Sequence, residues 1–369
     1  MLRATLLLRN LLKKAMRGLA AVKRRKGAPP SSPRKILYIV AGGIGDAIMA
    51  IPALRQLKLR YPEATLTCCA GANMRPFLAP LLAEAGLERT TLLAPLRLLR
   101  YPRSFDLAVT NTVSVFKVAA ELQAFFAARF SLGFRYPEEK PADRLYDATL
   151  PVVPDRHEVD QNLALPEHYL GCTVPEQDRI PAARRKAQCA HPPQAILLHP
   201  GSAAGYEYKR WPAKRFVALA KRLSEAGIAI HVLIGPSERS LQKQFGTDVS
   251  ILTPRNPREL FAALRRVDGF VGNDSGPAHL AAFLGLPSVA LFGPVDPARA
   301  APRGEGVEIV YNRQECSPCH FDPRSCAEIR CMESITVEQV CEEACALFGI
   351  GRSGPHPPGP PLRQERGGR

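Results

Sequence analysis

Three short segments carry the residue types that handle protons and phosphate. Ala41-Gly42-Gly43-Ile44-Gly45-Asp46 is a glycine-rich turn that ends in a carboxylate. Glycine lets a backbone approach a ligand with no Cβ in the way, and a carboxylate at the mouth of a strand can act as general base on a substrate hydroxyl. Asp46 also has a local role open to it as the N-cap of the following helix, accepting a backbone N–H. The two roles are compatible. His199-Pro200-Gly201-Ser202 runs through Gly205 to Lys209-Arg210-Trp211-Pro212, a loop closed by two adjacent cations that can fold over an anion. Read plainly, it is equally a solvated basic loop anchored by the single Trp. The segment from Gly272 through Asn273, Asp274, Ser275, Gly276, Pro277 and Ala278 to His279 and Leu280 is more specific. There Asp274 or Ser275 can cap, Gly276-Pro277 opens the first helical turn, and Gly285 is a natural stop. The amides at such a helix start make a ready diphosphate site. His279, one turn in, is a packed histidine by default and lies on the ligand side if the loop holds an anion.

Two familiar nucleotide loops fail on inspection. A dinucleotide fingerprint begun at Gly43 finds its second glycine at Gly45, but Ile48 stands in the third place and no acid lies on the second strand to hold a ribose. No G-x-x-x-x-G-K-[ST] loop occurs. Cys316, Cys319, Cys326 and Cys331 have a spacing open to a structural metal, a disulfide or plain thiols, although only one C-x-x-C unit is present. The chemistry read at the three loops calls for no metal and no cofactor.

The loops need a scaffold that presents them together. Apolar runs at 36–40, 64–69, 90–93 and 106–110 read as strands, with helices at 47–59, 74–85 and 115–129. From about 173 to 194 the chain is rich in Pro, Arg, Lys and Ala and has no periodicity, as a linker does. The alternation then restarts, with strands at 195–199, 228–234, 249–252, 269–272 and 288–292 and helices at 213–226, 238–245, 257–265 and 277–284. Strand and helix in alternation mean parallel sheets. The expected architecture is α/β, two Rossmann-like doubly wound domains facing a central cleft, where ligands bind at the C-terminal strand edges. Its expected bounds are 36–175 and 195–350, joined by a linker at 176–194.

The length of 369 residues suits two such domains, and 46% apolar with 23% charged residues excludes wholesale disorder. The net charge of +16 does not mark a nucleic-acid-binding face. Residues 1–35 hold eleven Lys and Arg and no acid, and 351–369 hold four Arg and one Glu, which leaves the body with 35 basic and 33 acidic residues. The Gly-, Pro- and Arg-rich 351–369 segment reads as a disordered tail. At the other end, Ala4, Leu8, Leu11, Leu12, Ala15, Leu19 and Val22 recur at helical spacing opposite Arg3, Lys13, Lys14 and Arg17. That pattern suits a helix lying on an anionic membrane surface through residues 1–26. No run is long and apolar enough to span a bilayer, and no secretory signal is evident, so the expected location is cytoplasmic with most thiols reduced.

AGGIGDAIMAIPAL, HPGSAAGYEYKRWP and VGNDSGPAHLAAFLGLPSVALFGPVDP, in this order and spacing, resemble glycosyltransferase family 9, the bacterial heptosyltransferases of lipopolysaccharide core synthesis. The resemblance covers most of residues 36–345 and implies the GT-B fold and an inverting sugar transfer from a nucleotide-sugar, with ADP-heptose as the family's donor. It implies a lipid-linked glycan acceptor and a place on the inner face of the bacterial inner membrane. By position it implies that Asp46 is the base and that Lys209 contacts the donor phosphates. It further implies that Ser202, Glu238, Asp274, Ser275, Gly276 and His279 line the donor site, with Gly43 and Gly45 in the acceptor-side loop. Two alternatives remain at this point: a non-catalytic nucleotide-sugar-binding protein of the same fold, and an NAD-dependent oxidoreductase.

Overall fold

In the computed structural model the described residues are 28–93, 102–111, 123–136, 145–183, 189, 193–319, 326 and 328–350. The amphipathic N-terminal segment up to residue 27, most of the 115–129 helical pattern and the tail from 351 lie outside them. No helix among the described residues is long and apolar enough to cross a membrane. The chain divides into two compact units, 1–181 and 182–369.

The first unit is built on a parallel sheet of β1 (Lys35–Val40), β2 (Thr65–Ala70), β3 (Thr91–Leu93), β4 (Phe105–Thr110), β5 (Ala128–Arg135) and β6 (Ala148–Pro151), in the spatial order β3-β2-β1-β4-β5-β6. In the second unit the strands are β7 (Ala195–His199), β8 (Ala229–Leu233), β9 (Ser250–Leu252), β10 (Gly269–Asn273), β11 (Ser288–Phe292) and β12 (Val307–Tyr311). Their order, β12-β11-β10-β7-β8-β9, is the same sequence of places read from the opposite edge. Both sheets therefore reverse direction between their first and fourth strands, β1 beside β4 and β7 beside β10. A strand covered on both faces must be apolar at every position, and β1, β10 and β11 are buried almost throughout. One face of the second sheet packs Ile196, Leu198, Val271 and Val289 against Trp211, Phe216 and Leu219.

Several elements depart from the pattern reading. The helix expected at 47–59 starts earlier and is two helices, Ile44–Met49 and Ile51–Arg60, meeting at Ala50. Pro52 has no N–H to give to a continuous ladder and starts the second helix instead. Of the helix expected at 115–129, residues 123–127 are helical, while Ala128 and Arg129 already belong to β5. The pattern reading also passed over β5, β6, β12 and the helices Glu158–Leu170 and Val337–Phe348. Glu158–Leu170 hides because it contains Pro166 and buries polar side chains. Gln161 satisfies both the N–H and C=O of Val153, and Asn162 donates to the Met49 carbonyl. Glu176–Arg179 is a short 3-10 turn, tied to that helix by Arg179 with Asp160 at 3.2 Å and with Glu167.

Candidate functional site

In the first unit the glycine-rich loop leaves β1 at the sheet's reversal point. Asp46 is not the N-cap of the helix it enters. Gly43 takes that place, Gly45 lies in the first turn, and Asp46 stands at the third helical position with its carboxylate turned back. The Gly43 N–H donates to Asp46 Oδ2 at 2.7 Å, which supplies half of a capping box. Aspartate therefore stabilises the helix start from inside the first turn. Gly42 is needed twice over: its φ is +105°, and a Cβ there would lie 2.3 Å from Asp46 Oδ2. Across the reversal point, Asn111 follows β4 and pairs with Ala41 through both ends of its amide. Its Oδ1 accepts from the Ala41 N–H at 2.9 Å and its Nδ2 donates to the Ala41 carbonyl at 3.0 Å.

The second unit repeats this device. Asn273 closes β10, accepts from the Trp211 N–H at 2.9 Å, and donates to the carbonyls of Pro200 at 2.9 Å and Gly201 at 3.1 Å. It thus fastens both ends of the loop from 200 to 211. Trp211 is buried, gives its indole N–H to the Ile335 carbonyl and packs edge-on against Phe216, so the loop is anchored in the core.

Within that loop the two cations take different partners. Lys209 Nζ is 2.7 Å from Asp274 Oδ2. Arg210 turns the other way, donating from Nε to Ser202 Oγ at 2.9 Å, while Ser202 Oγ donates to the Tyr206 carbonyl at 2.9 Å. Ser275 has the extended backbone of an N-cap, yet its hydroxyl does not cap; it meets His199 Nδ1 at 3.1 Å. The amide of Gly276, at the first position of the Gly276–Phe283 helix, has no intrahelical acceptor, and Asp274, paired with Lys209, lies two residues ahead of it in the chain. A cation beside a helix N-terminus is an arrangement that stabilises a diphosphate.

Glu238 lies deeper. It follows β8, is only 4% exposed, accepts from the Gly235 N–H at 2.7 Å, and sits 3.5 Å from His199 Nε2. Burial pushes its carboxyl up, but His199, the Gly235 amide and the Arg210 charge more than offset this and hold it below the usual carboxylate range. A Cβ on Gly201 would overlap the Glu238 carboxylate at 2.0 Å, so this loop can close over Glu238 only with glycine there. His279 is buried in the helix that starts at Gly276; burial, with the Lys209 charge as the lesser cause, pushes its imidazole down to about 4.

The structure thus brings Ser202, Lys209, Glu238, Asp274, Ser275, Gly276 and His279 to one end of the second sheet, and Gly43, Gly45 and Asp46 to the corresponding end of the first. Sequence reasoning gave no role to His199, Asn111 or Asn273. His199 sits inside a motif already singled out, but its link from Ser275 to Glu238 needs three separated segments to meet. The ten cysteines are free thiols. Burial, the largest cause, pushes the Cys331 thiol up to about 11, with Cys319, Cys326 and Cys316 adding to it. Among the described residues no three His, Cys, Asp or Glu side chains are grouped to hold a metal ion.

Residues 99–329, well over half of the chain, match the sequence model of glycosyltransferase family 9 (heptosyltransferase). The chain belongs to glycosyltransferase family 9. Lipooligosaccharide heptosyltransferase 2 of Campylobacter jejuni is similar to this family 9 chain, 23% identical over 330 residues that cover 85% of the chain and 98% of the relative. Among solved structures, Escherichia coli ADP-heptose lps heptosyltransferase II superposes with a TM-score of 0.66 at 20% identity, covering 85% of the chain and 98% of its own. The E. coli heptosyltransferase WaaC with ADP-2-deoxy-2-fluoro heptose gives 0.62 at 17% identity, with 84% and 98% covered. These likenesses show the GT-B fold, and family membership makes the chain a glycosyltransferase.

Proposed function

We propose that this glycosyltransferase moves heptose from ADP-heptose to a lipopolysaccharide-core acceptor with inversion at the anomeric carbon. The observation that carries the reading is the placing of complementary chemistry at the reversal points of two like sheets. One bears the carboxylate of Asp46, and the other bears Lys209 paired with Asp274 just ahead of the Gly276 N–H that opens the Gly276–Phe283 helix. Displacement at an anomeric carbon needs a base on the acceptor oxygen and stabilisation of the departing diphosphate. Asp46 takes the acceptor proton, while Lys209 and the Gly276 N–H meet the charge that grows on the leaving group. Asp274 holds Lys209 at the helix start until phosphate arrives to share it. Ser202, Ser275, Glu238 and His279 shape the donor pocket. The donor and acceptor named here are supported by what the relatives and solved neighbours are called.

The reading extends to location. Residues 1–26 would hold the enzyme reversibly on an anionic cytoplasmic membrane surface, where a lipid-linked acceptor is found, each basic side chain near the surface adding about 1 kcal/mol.

Incubating the protein separately with ADP-heptose, UDP-sugars and NADH, and following thermal shift and nucleotide release, tests the donor. Stabilisation by ADP-heptose with ADP release on adding acceptor is expected. A shift with NADH alone sinks the proposal, and a shift with ADP-heptose but no release under any acceptor points to a binding protein.

A further inference from the structure

We infer that Asn111 is a positioning residue for the transfer reaction, acting through the loop that carries Asp46; this rests on the reading of Asp46 as the base. Three observations lead there. Asn111 is 6% exposed, one residue beyond β4, where the first sheet reverses. Both ends of its side-chain amide are spent on one residue, Ala41, at 2.9 and 3.0 Å, and Ala41 is the first residue of the loop that leads into the Ile44–Met49 helix, which carries Asp46 in its first turn. The equivalent place in the second unit holds the same residue type in the same role. Ile39 pairs with Thr110 and His199 with Gly272, so Asn111 and Asn273 stand one step further along equivalent strand pairs. Each reaches the loop that follows the first strand of its own sheet.

The physical reason is local. Once a chain leaves a parallel strand, its next N–H and C=O have lost their ladder partners, and in a half-buried turn they must be satisfied or the turn drifts. A glycine-rich loop has little stiffness of its own. A side-chain amide supplies a donor and an acceptor in one rigid plane, which fixes the Ala41 peptide and with it the direction of Gly42, Gly43 and the Asp46 carboxylate. A base displaced by about 1 Å can lose about a hundredfold in rate with binding unchanged. Asn111 touches neither sugar nor acceptor in this scheme.

The test compares Asn111→Ala and Asn111→Asp with the parent enzyme. Asn111→Asp keeps shape and an acceptor for the Ala41 N–H but places one oxygen against the Ala41 carbonyl. Both should lower kcat by about tenfold or more, leave the donor KM within about twofold, and leave nucleotide binding by the second unit intact. The decisive measurement is the double variant with Asp46→Asn. If Asn111 works only through Asp46, adding Asn111→Ala to Asp46→Asn slows the enzyme by less than about twofold further. A further loss as large as in the parent overturns the inference, as does an unchanged kcat in both single variants. If Asp46→Asn itself is fully active, the base assignment fails; loss of rate in Asn111→Ala then means that it acts by another route, which also overturns the inference. Should the Asn111 variants not fold, amide exchange in the unsubstituted protein still decides, since the Ala41 N–H must be protected and rapid exchange refutes the tether.

Discussion

The Gly43 N–H, at 2.7 Å, orients the Asp46 side chain at the rim of the first sheet. Asparagine at this position can accept the same bond through its carbonyl oxygen, so the helix start survives while the proton acceptor is lost. Asp46→Asn should therefore reduce kcat by about a hundredfold or more with donor affinity nearly unchanged, read from initial rates and nucleotide titration. Donor affinity falling in step with rate would show that the side chain only caps. His279 yields a pH prediction. The unfolded chain takes up its proton near the ordinary value of 6.5, while the native site resists until about 4. The native state then binds fewer protons than the unfolded one in that window, and stability rises with pH. The contribution is complete above about 6.5 and is lost as pH falls toward 4. His279→Gln cannot take the proton, so the decline of Tm between about pH 7 and 5 should become shallower. An identical slope in parent and variant would remove His279 from the account.

At the scale of elements, the loop between β7 and the Ala213–Glu225 helix is a strap held at both ends by Asn273, with Trp211 anchored in the core and Lys209 carried between. Lys209 and Asp274 have side chains 15% and 9% exposed, so the pair is neither a surface bridge nor wholly dry. Lys209→Met leaves a largely buried carboxylate without its cation and should cost about 1–3 kcal/mol of stability. On the proposed reading, in which the ammonium meets phosphate in the ground state and more strongly as the diphosphate leaves, it should also raise the donor KM and lower kcat. Adding Asp274→Asn removes the stranded charge, so melting temperature should recover while turnover does not. Recovery of both together would mean that the pair serves only the fold.

Seen whole, the molecule uses one strand order twice, and the two halves of the proposed chemistry sit at equivalent positions of the two sheets. The described strands and helices begin at Lys35, so removing residues 1–27 takes away none of them, and turnover of a water-soluble acceptor analogue should stay within a few-fold. Sedimentation with anionic liposomes should be abolished, and high salt should release the full-length protein. Truncated protein that still sediments, or full-length protein that never does, would refute the membrane role.

Much of this architecture is legible in a single sequence because buried parallel strands advertise themselves. The runs at 195–199 and 288–292 coincide with β7 and β11 to the residue, since a strand covered on both faces is apolar along its length apart from an end residue, His199 in β7 and Ser288 in β11. The placing of AGGIGD and NDSG at strand ends was legible for the same reason. Burial is not the whole rule: the edge strands β3 and β9 show in the sequence while the edge strands β6 and β12 do not, and the interior strand β5 is masked by the helical spacing at 115–129 that runs into it. Local pattern also misjudged Asp46, whose capping geometry depends on φ at Gly42 and Gly43 rather than on residue type alone. Only the tertiary structure decided that Asn111 meets Ala41 and that Asn273 meets Pro200, Gly201 and Trp211. These partners lie 70 and 62–73 residues apart, and what brings them together is the pairing of first with fourth strands, a crossover that no local window contains.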